Sequence, residues 1–260
     1  MKILNCDRAT VIQLCNVTFD AHEIQPRIAE LGVLKGVNAE SLYRILKPEH
    51  MYLVDSWNSK TTMQIQQNNA HREWVLGPEA SEFYYGGALD QQTTFDELLK
   101  ETRIRFKHES NVTIKVAETW DGINWLASQE GQNKLNYVYL DAAHEFEAVY
   151  DDLVCIEKLL GEQSLLQLND CCYSEAGLRS NHGVLEAVTR FIKGSNFIPV
   201  CLTNTDYSDL LLCRDNSPFL ETLHTFIEQS NLTYFELPGQ FLSAMKVKIN
   251  AKGKTCMSFI

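Results

Sequence analysis

Acidic residues and glycines at the ends of short apolar runs are the groups in this sequence best placed to do chemistry. Glu30, Gly32 and Gly36 lie at the end of one run, and Asp55 ends the next, 19 residues after Gly36. Glycines let the backbone turn tightly and approach a ligand closely. A carboxylate at the next strand end can accept both hydroxyls of a ribose. The pattern predicts a nucleoside-binding turn; the alternative is that the glycines merely end a strand and Asp55 caps a helix.

A second group of polar residues follows two later apolar runs. Asp141 ends the run 137–140, His144 stands three residues further on, and Asp170 follows the run 165–168. A neutral imidazole suits a general base at neutral pH, so we predict that His144 accepts the proton of a hydroxyl substrate. We expect Asp141 to hold His144 in place. The alternative is that His144 only hydrogen-bonds a loop backbone.

The elements that must position these residues alternate in type along the chain. Apolar runs typical of buried strands alternate with segments in which apolar residues recur at helical spacing, such as 146–160. This alternation predicts an α/β fold: a Rossmann-like, doubly wound, mostly parallel sheet with helices on both faces. Residues 197–214 have the pattern of a hairpin, so we expect antiparallel pairing at one edge of the sheet. In such a sheet, ligands bind outside the carboxyl ends of the strands, where the polar residues above fall.

The organisation of the chain indicates one domain, because no repeat or proline-rich linker divides its 260 residues. We predict an N-terminal appendage (1–26), a Rossmann-like core (27–215) and a C-terminal appendage (216–260). Residues 57–92 form a polar insertion with several aromatic residues, predicted to lie like a lid over the ligand. Aromatic rings and amides suit a sugar or polar-ring substrate. The alternative is a solvated loop pinned by its aromatic residues.

Four motifs resemble those of class I S-adenosylmethionine (SAM)-dependent methyltransferases. Residues 30–36 (ELGVLKG) are similar to E-I-G-V-x-x-G, and residues 52–57 (YLVDSW) to Y-L-V-D-P-W. Residues 140–153 (LDAAHEFEAVYDDL) resemble I-D-G-D-H-S-Y-E-x-V-x-x-D-L, and residues 169–188 contain a counterpart of G-D-D-Y followed by G-V-x-x-A-V. The match runs in order from about residue 27 to residue 193. Macrocin- and novobiocin-type sugar O-methyltransferases are related members of this group.

The resemblance implies a role for each matching residue in holding SAM. Those that would line the methionine part are Glu30, Gly32 and Gly36. Asp55 would hold the ribose, and Asp141 would be the acid after the fourth strand. Those that would lie near the adenine, after the strand 112–116, are Glu118 and Thr119.

The same resemblance raises the question of a metal. In the macrocin- and novobiocin-type members, the acid matching Asp141 joins a later acidic pair in binding a divalent metal, and Asp170 matches the first acid of that pair. Ala143 and Cys171 replace two acids of the pattern. Because Mg²⁺ takes about six oxygen ligands, Asp141 and Asp170 would need waters or substrate oxygens to complete its shell, and a thiolate suits a softer metal. We therefore favour a metal-free site, with Mg²⁺ at Asp141 and Asp170 as the alternative.

These observations predict a SAM-dependent methyltransferase that acts on a hydroxyl of a small polar or glycan-like acceptor. A nicotinamide-dependent oxidoreductase on the same fold is the second hypothesis, although the G-x-x-x-G spacing of Gly32 and Gly36 differs from G-x-G-x-x-G. A third hypothesis is a non-catalytic SAM-binding protein, which the replacements at Ala143 and Cys171 favour.

Composition and charge restrict the partners. The chain has 45% hydrophobic and 22% charged residues and a net charge of −11, which repels phosphate backbones, so we expect no nucleic-acid partner. No apolar run reaches the ~18 residues of a membrane span, and the first residues do not fit a secretory signal. The eight cysteines include no Cys-x-x-Cys pair, so we expect reduced thiols in a cytoplasmic protein. The final strands are expected to serve packing or a homodimer.

Overall fold

A computed structural model shows how these elements are arranged; it describes residues 1–69, 78–132, 134–171, 183–239, 242, 246–249, 251–252 and 255–258. The strands are β1 (Lys2–Leu4), β2 (Arg27–Leu31), β3 (His50–Asp55), β4 (Val112–Val116), β5 (Leu135–Leu140), β6 (Leu160–Leu168), β7 (Phe197–Thr203), β8 (Leu210–Arg214), β9 (Tyr234–Glu236), β10 (Lys246–Ile249) and β11 (Thr255–Ser258). The helices are α1 (Arg8–Ala21), α2 (Val37–Leu46), α3 (Ser59–Asn69), α4 (Pro78–Tyr85), α5 (Gln92–Arg105), α6 (Thr119–Glu130), α7 (Phe146–Ile156), α8 (Val184–Gly194) and α9 (Phe219–Gln229).

Nine of these strands form one twisted sheet in the order β4-β3-β2-β5-β6-β8-β7-β1-β9. Neighbouring strands run parallel from β4 through β6, whereas β8 is antiparallel to both β6 and β7. Strand β1 is parallel to β7, and β9 is antiparallel to β1. The predicted fold class, a mostly parallel α/β sheet with an antiparallel hairpin, is confirmed.

Helices cover both faces of the sheet, and each face has its own apolar core. On one face α6, α7 and α8 pack against strand residues that include Leu31, Val54 and Leu140. On the other face α1, α2, α5 and α9 pack against residues that include Ile28 and Leu53. Residues 28 and 31 lie on opposite faces because side chains alternate along a strand. Burial on both sides explains why these strands read as nearly continuous apolar runs.

Two predicted features differ from the structure. Residues 1–26 and 216–260 were expected to form appendages, but β1 and β9 are paired within the main sheet, and α1 and α9 pack against the core on one face. The hairpin of β7 and β8 does not end the sheet, because β1 and β9 extend the sheet beyond it. Both differences have one cause: hydrogen-bond partners far apart in sequence decide where a short strand pairs.

The insertion 57–92 contains helices α3 and α4, and its residues 70–77 lie outside the described residues. Among the described residues, no helix has the length and apolar character needed to cross a bilayer.

Candidate functional site

The predicted site residues meet at one edge of the sheet. Strand β2 pairs with β3 on one side and with β5 on the other. The chain passes from β2 through α2 to β3, and it later returns on the opposite side of β2. This reversal of direction is the topological switch point at which doubly wound sheets bind ligands. Glu30, Asp55 and Asp141 all lie at the carboxyl ends of these three strands.

A tight turn follows β2, and its glycines are required by the backbone. Gly32 has a φ of +86°, and a Cβ added to it would lie 1.9 Å from the carbonyl oxygen of Asp141. Gly36, with a φ of +77°, precedes the first residue of α2. Leu34 also has a positive φ, +53°. The turn is therefore close-packed and strained, as binding turns often are.

The Asp55 carboxylate holds this turn in place. Its Oδ2 accepts hydrogen bonds from the backbone N–H groups of Val33 and Leu34, both at 2.8 Å. Its Oδ1 accepts a 2.9 Å bond from the backbone N–H of Trp57. Asp55 thus has a structural role that the spacing argument did not include. The ribose contact predicted for it stays a prediction.

Glu30 is a buried carboxylate with one oxygen unpaired. Its side chain is 1% exposed; Oε1 accepts a 2.8 Å bond from Asn38, and Oε2 has no hydrogen-bond partner among the described residues. Burial, which the bond from Asn38 only partly offsets, raises the pKa of Glu30 to about 8. The negative charges of Asp141 and Asp55 act in the same direction. A buried unpaired oxygen is costly, which makes Oε2 of Glu30 a candidate acceptor for a donor from a ligand.

Asp141, His144 and Asp170 form a compact cluster beside the turn. The Nε2 atom of His144 lies 3.3 Å from Oδ1 of Asp141 and 3.0 Å from Oδ2 of Asp170. Asp170 follows β6 with a φ of +58°, a conformation that costs energy for a residue with a Cβ. The structure thus brings together the predicted base and the two predicted metal ligands.

The two carboxylates change the protonation of His144. Burial alone would lower the pKa of His144, but hydrogen bonds to Asp141 and Asp170 and their charges raise it to about 10. Burial alone would raise the pKa of Asp141, but His144, Arg8 and Asn169 together lower it. These interactions favour the protonated ring in the ligand-free protein, and the general-base role predicted for His144 stays a prediction. The protonated ring differs from the expected neutral imidazole, because the sequence did not show that a second carboxylate would face the ring.

The same three side chains have the geometry of a metal site. One ligand atom from each of Asp141, His144 and Asp170 lies within 4.8 Å of the others. A divalent cation could replace the imidazolium proton, since metal ligation requires neutral imidazole. Cys171, which we considered as a softer ligand, is buried and is not part of this group.

Glu118 and Thr119, predicted to lie near an adenine, are at the same edge of the sheet beyond β4. The backbone N–H of Ala117 donates a 2.9 Å bond to the carbonyl oxygen of Asp55, which places this segment next to the turn. Glu118 precedes α6 and accepts a 2.5 Å bond from the hydroxyl of Thr61 on α3. No described contact tests the adenine role.

Helix α4 of the insertion lies close to the acidic cluster. Partial burial raises the pKa of Tyr84, and the charges of Asp141 and Asp170 contribute. Burial raises the pKa of Tyr85 to about 12, with contributions from Tyr84, Asp55 and Asp141. The ring of Tyr85 packs 5.9 Å from that of Phe95 on α5. This part of the insertion is therefore near Asp141 and Asp170, and the lid-like role predicted for it stays a prediction.

Four residues around the site were not predicted from the sequence: Arg8, Asn38, Asn169 and Asp209. The Arg8 guanidinium donates to Asn38, Asn169 and Asp209. Asn169 lies beside Asp170 in the motif region, so its position was a usable signal. The position of Arg8 gave no such signal, because Arg8 lies 161 residues from Asn169 in the sequence.

Comparisons with known proteins provide solved structures of similar fold but no family. No protein-family model matches the chain, and no curated protein matches it. The O-methyltransferase TomG from Streptomyces achromogenes, involved in tomaymycin synthesis and solved in complex with SAM, is 14% identical with a TM-score of 0.49; the match covers 81% of this chain and 82% of TomG. Cofactor-bound Rv0187 from MTB is 12% identical with a TM-score of 0.47, over 80% and 81% of the two chains.

Spermidine synthase in complex with the transition-state analogue AdoDATO is 9% identical with a TM-score of 0.49, over 89% of this chain and 67% of the synthase. At identities and TM-scores this low, these likenesses assign neither a family nor an activity to the chain. The function is therefore argued from the residues of the site.

Proposed function

We propose that this protein is a SAM-dependent methyltransferase and that SAM binds at the switch point between β3, β2 and β5. The observation that carries the proposal is the buried Glu30 carboxylate, whose Oε2 lacks a partner among the described residues. An ammonium group donates hydrogen bonds and carries positive charge. The amino group of the methionine part of SAM supplies such a donor. The motif resemblance at residues 30–36 and 52–57 supports the same assignment.

The charge of the site supports SAM over a nicotinamide cofactor. Glu30 interacts electrostatically with both Asp55 and Asp141 around the glycine turn. SAM brings a sulfonium and an ammonium to this acidic edge, whereas a dinucleotide brings a pyrophosphate. Helix α2 could offer its N-terminus to a phosphate, but the neighbouring carboxylates oppose an anion there.

Other residues would hold the rest of the cofactor. Gly32 keeps the turn close to the strand ends. Asp55 fixes the turn, and its Oδ1, which accepts one backbone bond, would accept a further bond from the ribose. Glu118 and Thr119 would contact the adenine from the edge beyond β4. These roles follow from the resemblance and from the placement of all four residues at one edge of the sheet.

The acceptor hydroxyl is proposed to bind at Asp141, His144 and Asp170. An imidazolium cannot accept a proton, so a metal-free His144 would act as a general base only after its ring has lost that proton. Ala143 and Cys171 replace two acids of the motif pattern, but His144 supplies a third ligand atom beside Asp141 and Asp170. The cluster is therefore better suited to a divalent cation than the sequence suggested. A bound cation would lower the pKa of a coordinated hydroxyl. The carboxylates orient the hydroxyl, and Tyr84 on α4 lies at the acceptor side.

The proposed acceptor is a small polar or glycan-like molecule with a free hydroxyl. The support is the polar and aromatic composition of residues 57–92 and the position of Tyr84 near Asp141 and Asp170.

Ligand binding tests the proposal directly. Calorimetry with S-adenosylhomocysteine, the methyl-transfer product, should give clear binding, whereas NADH should give none. Glu30→Gln keeps the shape of the side chain but puts an amide N–H₂ or a neutral oxygen at the unpaired position. It should weaken S-adenosylhomocysteine binding about tenfold or more. Glu97→Ala, at an exposed residue of α5, is the control. Binding of NADH but not of S-adenosylhomocysteine would favour the oxidoreductase hypothesis instead.

A further inference from the structure

The guanidinium of Arg8 lies beneath the site and contacts three side chains from different parts of the chain. Its Nη2 donates to Oδ1 of Asn169 at 2.5 Å, its Nε donates to Oδ2 of Asp209 at 3.2 Å, and its Nη1 donates to Oδ1 of Asn38 at 3.4 Å. The Arg8 side chain is 31% exposed, and that of Asp209 is 2% exposed. Arg8 therefore links α1, α2 and the ends of β6 and β8.

Each of the two asparagines also donates a hydrogen bond to a carboxylate of the site. Asn38 donates through Nδ2 to Oε1 of Glu30 at 2.8 Å. Asn169 donates through Nδ2 to Oδ1 of Asp170 at 2.8 Å and to Oδ1 of Asp141 at 3.3 Å. The two asparagines thus connect Arg8 to both ends of the site.

Arg8 and the carboxylates together fix which way both amides face. A guanidinium only donates hydrogen bonds and a carboxylate only accepts them, so each asparagine turns its oxygen toward Arg8 and its N–H₂ toward the carboxylate. Without Arg8, each amide oxygen would lose its donor, and the bond to the carboxylate alone would hold the side chain in place. The orientation of Glu30 Oε1 in turn leaves Oε2 as the oxygen without a partner.

Arg8 is itself held rigidly by Asp209. The Oδ1 atom of Asp209 accepts bonds from the hydroxyl of Tyr139 at 2.8 Å and from Nε2 of Gln167 at 3.2 Å. The Arg8 guanidinium also lies 5.3 Å from the ring centre of Tyr139. If Arg8 served stability alone, the ion pair with Asp209 would be sufficient. The hydrogen bonds from Arg8 to the two asparagines connect it to the site as well.

We propose that Arg8 is a positioning residue of the cofactor and acceptor site, acting on Glu30 through Asn38 and on Asp141 and Asp170 through Asn169. The inference rests on the proposed function. It assigns the N-terminal segment a direct part in the site, and it predicts a selective effect on the amino-acid end of SAM.

Two nucleosides separate positioning from general stability. S-Adenosylhomocysteine carries the amino-acid part that Glu30 would bind, whereas 5′-methylthioadenosine has the same nucleoside without it. Arg8→Ala and Asn38→Ala should each weaken S-adenosylhomocysteine binding about tenfold and change methylthioadenosine binding less than about twofold. The double variant should be no weaker than the singles, because both remove the same link.

Two further variants complete the test. Arg8→Lys keeps the charge opposite Asp209 but cannot donate to both asparagines at once, so it should behave like Arg8→Ala. Arg27→Ala is the matched control: Arg27 has a similarly exposed side chain, 29%, and pairs with the 7% exposed Glu130 near the start of β2, the opposite end of that strand from the site. It should leave the affinity for both nucleosides unchanged.

The outcomes distinguish the two proposals. Equal losses for both nucleosides, no loss at all, or recovery of affinity in Arg8→Lys would each overturn the positioning role while the wild-type binding of S-adenosylhomocysteine still supports the function. If the wild type binds neither nucleoside, the proposed function fails and the role of Arg8 fails with it. Should Arg8→Ala not fold, Asn38→Ala and Arg8→Lys decide the matter by the same selectivity.

Discussion

The backbone of Gly32 lies against the carbonyl oxygen of Asp141, so closely that a Cβ on Gly32 would be 1.9 Å from that oxygen. The contact joins the turn after β2 to the end of β5, the two segments that form the proposed cofactor site. The backbone N–H of Asp141 also donates a 2.8 Å bond to the carbonyl oxygen of Leu31, so the pairing of β5 with β2 continues up to the turn.

Gly32→Ala should strongly destabilise the protein. The substitution combines a positive φ with a clash against backbone, and backbone atoms cannot move away as a flexible side chain can. We expect a loss of about 3 kcal/mol or more in the free energy of unfolding, measured by urea denaturation. Gly131→Ala is the control, because Gly131 has a similar φ of +80° with nothing within 4 Å of an added Cβ. Equal losses in both variants would show that the contact with Asp141 is unimportant.

Asp55→Ala should reduce both stability and cofactor affinity. The sequence alone predicted a ribose contact for Asp55, but in the structure the carboxylate also accepts backbone bonds from Val33, Leu34 and Trp57. Losing them should cost about 2–3 kcal/mol in denaturation experiments. Asp55→Asn, which keeps one acceptor oxygen, should lose less stability. A stable Asp55→Ala protein with wild-type affinity for S-adenosylhomocysteine would contradict both the structural and the ribose role.

Glu30 should make the stability of the ligand-free protein depend on pH. Its pKa is about 8 in the folded protein against 4.5 for the unfolded reference, so the folded state holds a proton that the unfolded state has lost between these values. Stability should therefore fall as pH rises through this range, by at most ~1.4 kcal/mol per pH unit from this group. Glu30→Gln should flatten that part of the profile and be more stable than wild type above pH ~8. Asp152, whose pKa burial raises to about 7, acts with the same sign and is present in both proteins. Identical pH profiles for the two proteins would show that Glu30 is not the buried acid described.

The cluster of Asp141, His144 and Asp170 should bind a divalent metal ion. We expect Mn²⁺ to bind with a stoichiometry of about one, detected by electron paramagnetic resonance, since two carboxylates and an imidazole suit such an ion. Asp170→Asn and His144→Ala should each weaken binding about tenfold or more. His108→Ala, at an exposed histidine, should not. If the wild type binds none of Mn²⁺, Mg²⁺ and Zn²⁺, the result would support the metal-free site that the sequence analysis favoured.

Local patterns determined most of the elements and the identity of the ligand edge. The apolar runs that end near Glu30, at Asp55 and at Asp141 became β2, β3 and β5, because a strand buried on both faces needs a nearly continuous apolar sequence. Glycines 32 and 36 marked the turn, since both have a positive φ and a Cβ on Gly32 would clash with the backbone of Asp141. The acids that end these strands were placed by the same reasoning, because the carboxyl ends of parallel strands meet at one edge.

Tertiary structure decided which charged and polar groups interact with one another. The pKa of His144 depends on Asp170, 26 residues away in the sequence, and the orientation of Glu30 depends on Arg8 through Asn38. The place of β1 inside the sheet required pairing with β7, about 200 residues later. Electrostatic interactions and hydrogen bonds act over a few ångströms in space, whatever the separation along the chain, and no local pattern encodes such a distance.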